Sequence, residues 1–572
     1  MQKIIKNKLK SKCLVGGLFL ASILLSCVGG HLGKNNSGEY RNGMVVSANG
    51  IASEVGIDIL KKGGNAVDAA VAVQFALAVV HPNAGNIGGG GFMVYRSAKG
   101  EANTLDFREK AASGAGRDMY LDAAGNPIVE KSLYGQLASG VPGSVAGMAE
   151  AHQKYGKLKW EVLLAPAVSL ATEGFKITGR QANELNGLKA RLKRSNPLGT
   201  ALLKETKWVE GDILVQRELG KTLKLIQEQG RKGFYEGAVA DSIVAEMQRG
   251  NGIITKQDLA AYKAIWRKPV TGTYRGYDIV TMPPPSSGGI ALIQLLKSVE
   301  PFPLKRWGFN ADSTVQLMVE AERRVYADRA AHLGDPDFYP VPQQKLIEDA
   351  YIRNRMSTFD WQKASTSADI KAGEIAPAEH EETTHFSIVD REGNAVAITT
   401  TLNGSYGSGV VVKGAGFLLN NEMDDFSVKP GAPNMYGLVG GEANAIAPHK
   451  RMLSSMTPAI LAKNGDLFMV VGTPGGSTII TSVFQTILNV VDFDLSMQAA
   501  VNAKKFHHQW LPDQVDIEPK ALDSLTIEKL KAKGYKIVPR GAIGRVDAIL
   551  KTKWGYYQGG ADPRGDDKAV GW

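Results

Sequence analysis

The stretch Thr383-Thr384-His385-Phe386-Ser387-Ile388-Val389-Asp390-Arg391-Glu392-Gly393-Asn394-Ala395-Val396-Ala397-Ile398-Thr399-Thr400-Thr401 consists of two alternating runs rich in β-branched residues around a short polar break. Arg391-Glu392-Gly393 fits a three-residue hairpin loop with Gly at the left-handed position. If Asp390 and Asn394 close that loop, facing residues have numbers that sum to 784, and Thr383 stands opposite Thr401. The preceding residues 362–382 are rich in Lys, Ser, Ala and Glu and have no apolar periodicity, so they read as an exposed or mobile linker. Such a linker would deliver one hydroxyl to a sheet edge beside a second one. That suits a nucleophile and an orienting partner, although a bare hairpin is a common structural pattern.

Outward from this hairpin, the chain alternates helical and strand signals. Residues 51–61 read as an amphipathic helix, broken by Gly63-Gly64-Asn65 and resumed as a nearly all-apolar helix over 66–80 that Pro82 stops. The Gly88-Gly89-Gly90-Gly91 run precedes a strand instead of opening a helix, so it predicts a tight turn with close backbone packing and no phosphate cradle. Residues 145–265 are mostly helical. Pro283-Pro284-Pro285-Ser286-Ser287-Gly288-Gly289 forms a turn before a helix over 290–299, and another helix covers about 315–331. After Thr383 the chain turns β-rich and keeps short strands, Gly turns and a few helices to its end.

The composition excludes several classes. With 572 residues, 44% hydrophobic and 22% charged, the chain is globular and can bury a large core. Gly is abundant, 65 residues, and the glycines cluster in short runs between apolar segments, which favours many tight turns. The net charge of +10 falls to +5 without the five lysines of the first 26 residues, and so weak a field argues against a nucleic-acid partner. Those lysines precede an apolar run over 13–25 that is too short to span a bilayer, and together they read as a signal peptide, 1–26. Leu24-Leu25-Ser26-Cys27 resembles a bacterial lipobox, which would leave Cys27 as a lipidated first residue; the other reading is an ordinary signal peptide with an incidental Cys27. Either predicts export to the periplasm or cell envelope. Cys13 leaves with the signal, so the mature chain has no internal disulfide, thiol catalysis or Cys-ligated metal.

A zinc reading of His380-Glu381-Glu382-Thr383-Thr384-His385 fails on spacing, because zincins need His at i and i+4. His507-His508 fails as well, since strand neighbours point to opposite faces. No metal is expected.

Five motifs in order resemble the signatures of the γ-glutamyltranspeptidases: Phe107-Arg108-Glu109-Lys110-Ala111, Thr383-Thr384-His385-Phe386-Ser387, Leu419-Asn420-Asn421-Glu422-Met423-Asp424-Asp425-Phe426, Leu453-Ser454-Ser455-Met456-Thr457-Pro458 and Gly472-Thr473-Pro474-Gly475-Gly476-Ser477. The likeness runs over about residues 43–563. It implies the αββα four-layer sandwich of N-terminal-nucleophile hydrolases, made as one precursor that cuts itself between Glu382 and Thr383. The pieces would be a large subunit, 27–382, and a small one, 383–572, forming one αββα domain as a heterodimer.

The resemblance also implies roles. Thr383 would be the nucleophile, activated by its own freed α-amine, whose usual pKa near 7.7–8.0 suits a base. Thr401 would be its partner. Gly475 and Gly476 would offer backbone N–H groups to the oxyanion. Arg108, with Ser454 and Ser455, would hold a glutamyl α-carboxylate, while Asn403, Glu422 and Asp425 would hold its α-ammonium. Tyr436 matches the gating aromatic of a lid loop over 430–441. The implied activity removes the γ-glutamyl group from glutathione and related compounds and passes it to water or to an amino acid or peptide, without a cofactor. A cephalosporin or glutaryl acylase is the enzymatic alternative. A silent surface lipoprotein that keeps the fold for binding is the non-enzymatic one.

Overall fold

Two antiparallel sheets stack face to face. The computed structural model describes residues 40–371, 383–429 and 441–572. Cys27, Glu382, Tyr436 and the signal segment lie outside the described residues.

The first sheet has seven strands in the order Lys568–Gly571, Met44–Ser47, Thr384–Val389, Ala395–Thr401, Gly90–Arg96, Ala102–Asp106 and Ile265–Arg267. The second has six, in the order Tyr557–Gly560, Asp547–Lys551, Asp466–Gly472, Ala459–Lys463, Tyr277–Thr281 and Val270–Tyr274. Helices cover both outer faces, which gives the αββα sandwich. Strands covered on both faces bury polar residues with apolar ones, so His385 and the threonines of the central hairpin lie inside as well. Thr384–Val389 and Ala395–Thr401 are buried at every position.

On one side, the helices Gly50–Lys61 and Ala66–Val80 pack against the first sheet. All fifteen residues of Ala66–Val80 are buried. Its N-terminus is fixed by a capping box in which Asn65 accepts from the Asp68 N–H while Asp68 accepts from that of Asn65. On the other side, Gly288–Val299, Asp312–His332 and Thr478–Val491 form the second core with the six-stranded sheet.

The hairpin register agrees with the sequence. Val389 pairs with Ala395 and Thr384 with Thr400, so every pair sums to 784. Gly393 takes φ +92°, and the Asp390 N–H donates to the Asn394 carbonyl at 3.0 Å. The Gly88–Gly91 run is a close-packed turn: a Cβ on Gly89 would lie 1.9 Å from the Thr401 carbonyl oxygen, and one on Gly88 2.1 Å from that of Leu418. The linker expectation needs a correction over 362–371. Ser367 and Ile370 are buried, the Ser365 N–H donates to Glu320 and the Ser367 N–H to Asp513. A buried ion network on the helix Asp312–His332, in which Glu320 pairs with Arg323 and Arg324, pins that part down.

Candidate active site

The site lies at one end of the sandwich, where the strand Thr384–Val389 begins and its neighbours Ala395–Thr401 and Asp466–Gly472 end. Thr383 is half-buried and directly precedes the first paired residue; the register places it opposite Thr401. Thr401 is 2% exposed. Its Oγ1 accepts the Asn403 N–H at 2.7 Å, and its carbonyl accepts from Asn86 Nδ2 at 2.9 Å. Asn86 also donates to Thr400 Oγ1 and accepts from the Gly89 N–H and the Ser144 hydroxyl. One buried amide thus fixes the end of the strand that carries Thr401.

His385 faces the sandwich interior. Burial pushes its imidazole down to about 3, so it stays neutral, bonded to Thr399 Oγ1 and Ser387 Oγ. It packs so closely on Gly472 that a Cβ there would meet the ring at 2.3 Å. The turn after Gly472 therefore sits beside the start of the Thr384–Val389 strand. In that turn Gly475 has φ +140° and Gly476 φ +50°, values that favour glycine. Among the described residues neither N–H donates to an acceptor, and both precede the N-terminus of the buried helix Thr478–Val491. Behind the turn, Ser477 donates to Gln509 Oε1 at 2.8 Å, and its carbonyl accepts from the Tyr326 hydroxyl.

Arg108 is 1% exposed. Its guanidinium pairs with Glu422 and Asp425 and lies 3.5 Å from Glu109, while donating to the Met452 and Leu453 carbonyls. Burial alone would weaken its charge, but the three carboxylates outweigh that and hold it more firmly protonated than usual. The acids respond the other way. Burial pushes Glu109 up to about 8 and raises Glu422 and Asp425, against the pull of Arg108. The neighbouring Thr401 hydroxyl pulls the other way and favours ionised Glu422. Three acids thus crowd around Arg108, with Arg329 also acting on Asp425, and burial favours the neutral form of each acid.

Ser454 and Ser455 follow the Met452 and Leu453 carbonyls. The Ser454 backbone is stitched to the Pro-rich turn, since its N–H donates to the Pro285 carbonyl and its own carbonyl accepts from Ser287. Ser455 Oγ accepts from Arg329 Nη2 at 2.8 Å. Asn403 has φ +69° and donates to the Asn421 carbonyl. The structure therefore brings Arg108, Glu422, Asp425, Ser454 and Ser455 together beside Thr401 and Asn403.

Sequence reasoning missed three residues. Glu109 stands inside a quoted motif, yet nothing in its spacing marks it as buried against Arg108 and Gly90. Arg329 is one arginine of three on its helix, and only the fold turns it toward Ser287, Ser455 and Asp425. Asn444 joins the two halves of the site: its Nδ2 donates to the Asp425 carbonyl at 2.7 Å and its Oδ1 accepts the Leu453 N–H at 2.9 Å. No group of three or more His, Cys, Asp or Glu suited to a metal occurs among the described residues.

Comparison with known proteins places the chain in a family. A sequence model of the Gamma-glutamyltranspeptidase family matches residues 52–572. The chain belongs to the γ-glutamyltranspeptidase family. It is 49% identical over 539 residues to a glutathione hydrolase proenzyme of Escherichia coli (strain K12), covering 93% of this chain and 92% of the relative. A crystal structure of Helicobacter pylori gamma-glutamyltranspeptidase is 47% identical, with a TM-score of 0.56 over 57% of this chain and 94% of the other. A cephalosporin acylase from Bacillus halodurans superposes over more of the chain, with a TM-score of 0.83 over 96% of this chain and 99% of the other, but at 28% identity. The γ-glutamyltranspeptidase fold thus carries acylases too, and side chains must separate the two.

Proposed function

We propose that the protein is a self-processing γ-glutamyltransferase and glutathione hydrolase with Thr383 as its nucleophile. The reading rests above all on the buried set Arg108, Glu422 and Asp425 beside Thr401: it offers a guanidinium to an α-carboxylate and spare carboxylates to an α-ammonium. A cephalosporin or glutaryl acyl chain lacks that ammonium and would leave Glu422 and Asp425 without a donor from the substrate, which favours a γ-glutamyl donor.

In maturation, Thr383 Oγ attacks the Glu382 carbonyl carbon, and the peptide nitrogen leaves as the new α-amine of Thr383. Water then hydrolyses the ester, giving pieces 27–382 and 383–572. In turnover, the amine takes the Thr383 hydroxyl proton while Oγ attacks the γ-carbonyl of the donor. The Gly475 and Gly476 N–H groups face the charge that develops on its oxygen. The donor's amide nitrogen leaves with the proton, and water or an amino acid or peptide amine resolves the acyl-Thr383 ester. Thr401 orients Thr383 Oγ, and Asn403, Ser454 and Ser455 complete the grip on the glutamyl end. Tyr436 would gate the site, and Cys27 would carry a lipid anchor after export.

The test is N-terminal sequencing of the small piece, together with hydrolysis of a γ-glutamyl anilide. Sequence starting at Thr383, and a single inactive uncut chain for Thr383→Ala, are the expected results. A fragment starting elsewhere, or a Thr383→Ala chain that is still cut, would sink the assignment. Preference for a glutaryl over a γ-glutamyl amide would move it to the acylases.

A further inference from the structure

The chain enters the sandwich at the end opposite Thr383. Tyr40 pairs with Tyr557, at the foot of the hairpin that joins Asp547–Lys551 to Tyr557–Gly560. Asp547 faces Gly472 at the active-site end, so this hairpin's tip, residues 552–556, points the other way. So do the Arg391-Glu392-Gly393 loop and the turn after Arg96, because Thr401 and Gly90 pair at the catalytic end. The tip is rigid: the Thr552 N–H donates to the Tyr556 carbonyl at 2.8 Å and the Gly555 N–H to Thr552 at 2.9 Å, with Gly555 at φ +83°. It presents Trp554, 69% exposed, with Lys553 4.7 Å from its ring centroid and Arg41 4.4 Å from that of Tyr556. No acid lies between Lys551 and Tyr557.

We propose that this tip is a membrane-contact surface that rests on an anionic lipid headgroup layer and turns the catalytic end away from the bilayer. The inference rests on the lipid-anchor reading of Cys27. Twelve residues separate Cys27 from Tyr40, and a fully extended chain of that length reaches at most about 45 Å. Such a tether fixes distance without fixing orientation. An exposed indole with Lys553 against it and Arg41 on the neighbouring Tyr556, beside the point where the described chain begins, supplies the orientation, because Trp and Tyr favour the headgroup level and Lys and Arg the anionic surface. Substrate would then reach Thr383 from the aqueous side.

The experiment uses the mature protein on phosphatidylglycerol–phosphatidylethanolamine vesicles containing brominated lipid. Tryptophan quenching is expected in the wild type and lost in Trp554→Ala, with γ-glutamyl hydrolysis unchanged. A dye on His449→Cys, in the exposed loop beside Arg451 and Met452, is expected to stay unquenched. Equal quenching in wild type and Trp554→Ala, or quenching of the dye at 449, overturns the proposal. The mass of the N-terminal peptide reports on the anchor separately. If Cys27 is unmodified, that reading falls, and flotation of the unacylated chain with the same vesicles decides the surface: Trp554→Ala and Lys553→Ala should each weaken binding on the order of fivefold. No binding, or no difference, overturns it.

Discussion

At the scale of single residues, the site is governed by crowded, largely buried charge. Three carboxyl groups gather around Arg108, burial holds Glu109 up to about 8, and Arg108 is tied to Glu422 and Asp425. Arg108→Lys keeps the charge and loses the planar fork. A charge-assisted hydrogen bond contributes roughly 1.5–3 kcal/mol, so γ-glutamyl anilide hydrolysis should fall on the order of ten- to a hundredfold. Self-cleavage should continue, because the precursor's scissile bond carries no free α-carboxylate. Gel processing and turnover measured side by side decide it: a folded variant that fails to process makes Arg108 structural, and wild-type rates for both remove its role. Glu109 carries a pH signature. Its folded-state pKa lies above the usual 4.5, so its contribution to stability is full below about 4.5 and is lost as pH rises through about 8. Glu109→Gln cannot titrate. The difference in Tm, variant minus wild type, should therefore grow more positive from pH 5 to pH 8, and a flat difference would show that Glu109 is ionised throughout.

At the scale of elements, the hairpin and the glycine turn act as one part. Thr401 ends a strand whose last carbonyl is packed against Gly89 and held by Asn86. Gly89→Ala would place a Cβ 1.9 Å from that oxygen. The expected result is a chain that still folds, destabilised by about 1–3 kcal/mol as overpacking usually does, and that processes markedly more slowly. Normal processing on a time-course gel would show that the position of Thr401 has slack. The same elements define what could be read without coordinates. The register of the hairpin was legible because period-two alternation and a Gly loop fix it locally, and the helix Ala66–Val80 because its caps and apolar run are contiguous. Asn444 and Arg329 were not, because the Arg329 partners Ser287 and Ser455 are distant in sequence and no periodicity links Asn444 to Asp425 and Leu453. The anchoring of 362–371 was hidden for a similar reason: its low apolar content says loop, while Glu320 and Asp513 supply the partners that hold it.

At the scale of the whole molecule, cutting the chain before Thr383 would not give two separable halves. In the first sheet, the small-piece strands Thr384–Val389 and Ala395–Thr401 lie between Met44–Ser47 and Gly90–Arg96 of the large piece, and Lys568–Gly571 adds to the far side of Met44–Ser47. In the second sheet, Ala459–Lys463 of the small piece pairs with Tyr277–Thr281 of the large one. Both cores likewise draw residues from each side of the cut. Separation would have to break sheet hydrogen bonds in both layers and expose both cores, whereas cleavage itself removes only one covalent link. The mature protein should therefore elute as one species containing a piece of 190 residues, counted from Thr383 to Trp572, and should unfold in one thermal transition close in Tm to uncut Thr383→Ala. Two resolved transitions, or dissociation of the pieces on dilution without denaturant, would contradict a shared core and place the boundary between folding units at the processing site.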